Sequence, residues 1–133
     1  NLDYFLYKFN ISKQNQKRMK IIDNFYKEKI TVKTFIEKNM NKVLYYHGKQ
    51  AVLDILNFRI IKSNKIDQTL IELSQTYRSK TIPSMPISAD LLMKKYNIPE
   101  GKQLGEKLKT IEQIWVKNDF KISDQQVDNI INN

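Results

Sequence analysis

Cysteine is absent from this sequence of 133 residues. Its absence excludes disulfide bonds, thiolate zinc sites, iron–sulfur clusters and cysteine nucleophiles. Because a chain without cysteine is typical of a reducing compartment, we expect the protein in the cytoplasm. Glycine and proline occur only three times each, which leaves little turn chemistry for a fold of many short strands.

Long apolar runs are absent too. No stretch approaches the roughly 20 residues that a membrane helix needs, and nothing at Asn1 reads as a signal peptide. We therefore expect no membrane partner. Because the chain begins with Asn and not with Met, we expect it to be a processed product or a piece of a longer protein.

Signatures of catalysis are missing as well. A single histidine excludes a paired-histidine metal site, and no Asp-x-Asp pair is present to hold catalytic magnesium. The glycines at 48, 101 and 105 form no phosphate-binding loop, and no Gly-x-Ser-x-Gly elbow occurs. We therefore predict no catalytic residue, metal or cofactor in this chain itself.

Positive charge, by contrast, is abundant. Lys and Arg total 23 against 14 Asp and Glu, which gives a net charge of +9. Such a balance predicts an anionic partner, with nucleic acid ahead of a membrane surface. Lysine outnumbers arginine 20 to 3, which indicates an AT-rich coding sequence as a second source of the basic charge.

Apolar residues repeat at helical spacing along most of the chain, so we predict an all-α fold of about seven helices. Gly48 either breaks a helix or lies within one. Candidate helix starts, marked by capping or first-turn residues, lie at Ser12, Thr31, Ser88, Pro99 and Ser123.

A proline-containing segment divides this helical pattern. Pro83 and Pro86 each fix φ and remove a backbone donor. We predict an extended hinge over 81–88, between a multi-helix body at 1–80 and a smaller helical tail at 81–133.

Aromatic residues surround the only histidine, in the run Tyr45-Tyr46-His47-Gly48-Lys49. One interpretation is that His47 acts as a base or stacks on RNA, while the tyrosines stack on unpaired bases. The other is that the tyrosines pack in the core with wet hydroxyls and that His47 lies near a helix break.

Two glycines lie four residues apart at the start of a predicted helix. Because glycine costs about 1 kcal/mol in a helix interior relative to alanine, Gly101 and Gly105 suggest that something approaches closely. That group is either a phosphate at exposed N–H groups or the preceding short helix. The apolar stripe predicted to hold this helix in place consists of Leu104, Leu108, Ile111 and Trp115.

A series of short motifs fills the second half of the chain. Residues 99–108 read Pro-x-Gly-x-x-Leu-Gly-x-x-Leu, with 82–88 and Leu92-Met93 before them and Ile114-Trp115 after them. Together with 45–48, this series resembles the C-terminal region of bacterial class II CCA-adding enzymes, tRNA nucleotidyltransferases that are grouped with bacterial poly(A) polymerases. The resemblance spans about 40–122. Ala89 and Leu91 depart from it, standing where the family usually has Gly and Asp.

The resemblance implies a function for the chain. The family's catalytic head, with its magnesium ions, and the neck that reads CTP and ATP both precede this region. The chain would then be a helical body and tail that holds tRNA or another RNA while the head of the same parent chain extends the 3′ end. Duplex RNA is gripped mainly through phosphates and shape, which suits basic side chains on a helical scaffold.

We accordingly predict a set of lysines and one arginine as phosphate contacts: Lys49, Arg59, Lys94, Lys95, Lys102, Lys107 and Lys109. The alternative is a helical protein-interaction module that does not bind RNA, whose basic charge follows from codon bias. That alternative predicts evenly scattered lysines and an exposed apolar patch.

Overall fold

The computed structural model describes residues 1–133, except for the side chain of Val32. It confirms the predicted all-α class: 72% of the residues are helical, and the described backbone contains no strand. None of the described helices combines the length and the apolar character needed to cross a membrane. The α-helices are α1 (Leu2–Lys8), α2 (Lys13–Lys27), α3 (Glu37–His47), α4 (Lys49–Lys62), α5 (Gln68–Ser79), α6 (Ala89–Tyr96), α7 (Lys102–Lys117) and α8 (Asp124–Asn132).

The chain folds as two compact units, Asn1–Thr81 and Ile82–Asn133. The first contains α1–α5 and a short 3₁₀ helix at Val32–Phe35, and the second contains α6–α8.

Side-chain caps start several helices at the predicted residues. Ser12 Oγ accepts a hydrogen bond from the backbone N–H of Asn15, and Ser88 Oγ accepts one from Leu91, at 3.3 and 3.1 Å. Ser123 and Gln126 form the predicted capping box, with Ser123 N donating to Gln126 Oε1 at 2.9 Å. These caps satisfy backbone donors that a helix start leaves without partners.

Other predicted boundaries differ from the structure. Thr31 precedes the 3₁₀ helix and not an α-helix. Pro99 lies outside α7, which begins at Lys102 after Gly101. Gly48, at φ +90°, ends α3 and directly precedes α4, so it breaks the helix. Only glycine adopts such a conformation without strain.

The first unit is built around α4, against which α2, α3 and α5 pack. Val52, Ile55 and Leu56 of α4 are fully buried. Polar contacts also join the helices: the Tyr77 hydroxyl donates to Asn41 Oδ1 at 2.6 Å and lies 3.1 Å from the Glu37 carbonyl oxygen. Hydrogen bonds between α5 and α3 therefore add to the aliphatic packing of both helices against α4.

The second unit has an aliphatic core on which α6 and α8 pack against α7. Leu92, Leu104, Ile111 and Val127 form this core, and Leu108 packs against it. Trp115 is also buried, and its ring meets that of Phe120 edge to face, with centroids 5.1 Å apart. The stripe along α7 thus lies on the buried side of the helix.

Candidate nucleic-acid interface

The positive charge of the chain is divided unequally between the two units. The first unit carries 16 Lys and Arg against seven Asp and Glu, which accounts for the entire net charge of +9. The second carries seven of each and has no net charge. The first unit therefore attracts anions more strongly than the second does.

Within the first unit, α2 presents a row of lysines. Lys13, Lys17, Lys20 and Lys27 stand at positions i, i+4, i+7 and i+14, which share one face of an α-helix. All four are exposed, together with Asn24 on the same face. We call these four lysines the α2 lysine face.

Two members of this face have acidic neighbours. Lys27 Nζ lies 3.0 Å from Asp23, and Lys20 Nζ lies 3.9 Å from Asp3. These pairs are solvent-exposed, so each contributes at most about 1 kcal/mol and yields readily to another anion. No acidic partner lies within ion-pair distance of Lys13 or Lys17 among the described residues.

The opposite side of α2 anchors the helix. The Arg18 guanidinium donates two hydrogen bonds to the Asp54 carboxylate of α4, at 2.8 and 2.9 Å, and Gln50 donates a third at 2.9 Å. Burial raises the pKa of Asp54, but the hydrogen bonds from Arg18 and Gln50 and the Arg18 charge outweigh it, so the pKa lies below its ordinary value. A bidentate pair of this kind fixes orientation as well as distance.

A hydroxyl adds to this anchor. Tyr26 donates a hydrogen bond to the Ile55 carbonyl of α4 at 2.8 Å. The α2 lysine face is therefore held outward by contacts on the far side of its own helix.

The lysines predicted in the second unit lie among acidic groups. Lys102 and Lys109 are exposed on the outer face of α7, but Glu106 lies between them, 3.9 Å from Lys102 Nζ. Lys94 is exposed at the end of α6.

Lys95, next to it, is more constrained. Its Nζ lies 5.2 Å from the centre of the Tyr96 ring. The hydrogen bond with Tyr96 is the main cause that raises the pKa of Lys95, and the charges of Asp124 and Asp128 act in the same direction. The positive charge of Lys95 is thus partly compensated within its own unit.

Lys107 has a structural role. Its Nζ donates hydrogen bonds to the backbone oxygens of Ile130 and Asn133, both at 2.8 Å. A lysine at the C-terminal end of a helix satisfies carbonyls without helical partners and interacts favourably with the helix dipole. Lys107 therefore holds the end of α8.

Lys49 and Arg59, the two predicted contacts in the first unit, also have partners. Lys49 Nζ donates to the Arg78 carbonyl at 2.9 Å, at the end of α5. The Arg59 guanidinium carbon lies 5.6 Å from the centre of the Phe35 ring. Both positions link elements of the first unit.

The two glycines of α7 lie in open surroundings. A Cβ added at Gly101 or Gly105 would meet no heavy atom within 4 Å among the described residues. The interpretation that they allow the preceding helix to pack closely is therefore wrong. Gly101, at φ +149°, is needed for its backbone conformation, and no side chain caps the N–H groups that follow it.

The aromatic run lies at the end of α3. Tyr45 is half-buried, Tyr46 is exposed, and their rings meet edge to face at 5.1 Å. His47 is exposed in the last turn. No group of three or more His, Asp or Glu side chains among the described residues is placed to hold a metal ion.

Sequence reasoning missed the α2 lysine face. The signal was present, because four lysines at i, i+4, i+7 and i+14 repeat with the period of a helix.

Comparisons with known proteins give no relative for this chain. No protein-family model, no curated protein and no solved structure matches it.

Proposed function

We propose that this chain binds RNA through the first unit, with the α2 lysine face as its main contact to phosphates. The observation that carries the proposal is that the whole net charge lies in the first unit and that four of its exposed lysines share one outward face of α2. Phosphate contacts dominate the affinity of nucleic-acid-binding proteins, and such contacts need exposed cations on a rigid support.

The resemblance to class II CCA-adding enzymes and poly(A) polymerases makes the proposal more specific. On that basis the chain holds tRNA or another RNA in the cytoplasm, while a head elsewhere in the parent chain adds nucleotides with magnesium and CTP or ATP. The second unit, which contains the Pro-x-Gly-x-x-Leu-Gly-x-x-Leu run, then serves as a neutral scaffold more than as a phosphate contact.

The proposal is tested by tRNA binding to the chain as a function of salt concentration. Each phosphate contact adds about −0.7 to −0.9 to the slope of log K against log salt. Replacing Lys13, Lys17, Lys20 and Lys27 by Gln should make the slope shallower by about 3 and weaken binding at low salt.

A matched control is available in the second unit. Replacing Lys94, Lys102, Lys109 and Lys117 by Gln removes the same amount of charge from exposed positions outside the first unit. We expect this variant to keep most of the wild-type slope. Equal losses in the two variants, or no tRNA binding by the wild type, would contradict the proposal.

A second candidate function is supported by α1. Tyr4, Tyr7 and Phe9 are 63%, 85% and 58% exposed, and Lys8 lies near the rings of Tyr4 and Phe9. Clustered exposed aromatic residues favour a protein-interaction surface. This candidate predicts that Tyr4→Ser with Tyr7→Ser abolishes a concentration-dependent association seen by sedimentation, while salt-dependent tRNA binding is absent in every variant.

A further inference from the structure

A cleft of about 600 Å³ lies in the first unit between α2 and α3. From α2 it is lined by Ile21, Asn24, Phe25 and Glu28, which stand at i, i+3, i+4 and i+7. From α3 the lining comprises Asn39, Lys42, Val43, Tyr46 and His47, again on one helix face. Each of the two helices thus lines the cleft with residues of a single face.

The composition of these stripes is mixed. Helices that close on each other present apolar stripes. Here polar side chains line the cleft beside an apolar wall formed by Ile21, Phe25, Val43 and Ile55. A concave site with an apolar wall and a few polar groups is typical of a ligand site.

The side chains of the cleft suit a planar, polar ring. Tyr46 is 45% exposed, so part of its ring is available for stacking. The amides of Asn24 and Asn39 carry both donors and acceptors, and Asn39 is held in place because its Nδ2 donates to the Thr34 carbonyl at 3.1 Å. Lys42 adds a cation one helical turn before Tyr46.

The cleft is also continuous with the α2 lysine face. Asn24 lies on that face between Lys20 and Lys27, and the same three residues line a neighbouring polar groove. An RNA strand with its phosphates along α2 therefore passes the opening of the cleft at Asn24.

We propose that this cleft binds one unpaired nucleobase of the RNA, stacked on Tyr46 and hydrogen-bonded by Asn24 and Asn39, with Lys42 at its phosphate. The inference rests on the proposed RNA-binding function and adds a selectivity to it: RNA with an unpaired end binds more tightly than blunt duplex RNA. A free nucleotide offers the same chemistry, so it serves as a second probe.

The test compares two RNA hairpins with the same stem, one blunt and one with a four-nucleotide single-stranded overhang. Stacking on an aromatic ring contributes about 5- to 150-fold to affinity per base. We expect the wild type to prefer the overhang by a factor in this range. Tyr46→Leu should remove that preference and leave affinity for the blunt hairpin, with its salt slope, unchanged.

Two further variants keep the test specific. Asn24→Ala, at an exposed position of α2 where alanine favours the helix, should reduce the preference without disturbing the fold. Tyr7→Leu is the matched control: it removes an exposed ring from the same unit but outside the cleft, and it should keep the preference.

Each outcome decides one of the two proposals or both. If the wild type binds the two hairpins with equal affinity, the cleft site is overturned while the RNA-binding proposal is kept. A preference for the overhang that persists in Tyr46→Leu has the same consequence. If neither hairpin binds, the RNA-binding proposal fails, and AMP and GMP titrations then decide the cleft. Amide shifts at 24, 39 and 46 that disappear in Tyr46→Leu would support a free-nucleotide site, and their absence would overturn the cleft as well.

Discussion

The two units of this chain differ in charge, although both combine a buried aliphatic core with polar contacts between helices. The first carries the whole net charge, and its polar contacts include Arg18 to Asp54 and Tyr26 to the Ile55 carbonyl. The second is neutral, and one of its lysines, Lys107, is bound to the Ile130 carbonyl. The difference teaches that the number of lysines in a region does not make it a binding surface, because those of the second unit face equal numbers of acids or support the fold.

The largest expected effect is the loss of stability on substitution in the two hydrophobic cores. It also tests whether RNA binding belongs to the first unit. Ile55→Ala in the first unit and Ile111→Ala in the second each replace a fully buried side chain, and each should cost about 2–5 kcal/mol of unfolding free energy in its own unit. Hydrogen exchange of backbone amides measures both losses.

RNA binding followed during heating then distinguishes the units. We expect Ile55→Ala to lower the temperature at which tRNA binding is lost by more than Ile111→Ala does. If loss of binding instead follows the unfolding of the second unit, the first unit is not the principal contact.

A smaller effect on unfolding free energy is expected at high pH, where the Tyr26 phenol of the first unit loses its proton. Burial raises the pKa of the Tyr26 phenol from 10.0 to about 12, while the charge of Arg59 lowers it by less. A phenol whose pKa is raised by folding stabilises the protein fully below the unfolded value, and this contribution is lost as pH rises from 10 toward 12. Since the phenol is partly solvated, we expect a loss of at most about 1 kcal/mol.

The measurement is urea unfolding at pH 9 and pH 11. Tyr26→Phe should show a smaller decrease in unfolding free energy between these two pH values than the wild type. An equal decrease in the two proteins would mean that the Tyr26 phenol does not contribute to the alkaline loss.

The smallest effect separates a structural lysine from an exposed one within the second unit. Lys107→Gln removes the cation that holds the last turn of α8 and should destabilise that helix by about 0.3–1 kcal/mol. Lys109→Gln, at an exposed position two residues later, should change stability by less. Neither should alter tRNA affinity, and a clear loss in Lys107→Gln would restore it as a phosphate contact.

Much of the fold was predictable because its signals are local. The caps at Ser12, Ser88 and Ser123 act within four residues, so sequence spacing is sufficient to locate them. The sequence does not decide whether Gly48 breaks a helix, because a glycine is tolerated inside a helix or ends it at positive φ, and only the fold distinguishes the two.

The roles of the predicted phosphate contacts were less predictable, because they depend on partners that are distant in sequence. The role of Lys107 depends on α8 ending beside it, 23 and 26 residues later in the chain. The neutrality of the second unit, by contrast, follows from the charges of the predicted tail alone. The motif resemblance nevertheless places most of the predicted phosphate contacts there, around Gly101.

The length of α2 also limits the contact that the proposed function requires. An α-helix rises about 1.5 Å per residue, so Lys13 and Lys27 stand about 21 Å apart along its axis. A straight helix of that length follows a curving polynucleotide for less than one duplex turn before the two diverge. If the proposal is correct, a stem of a single turn therefore offers all the surface that this helix can cover.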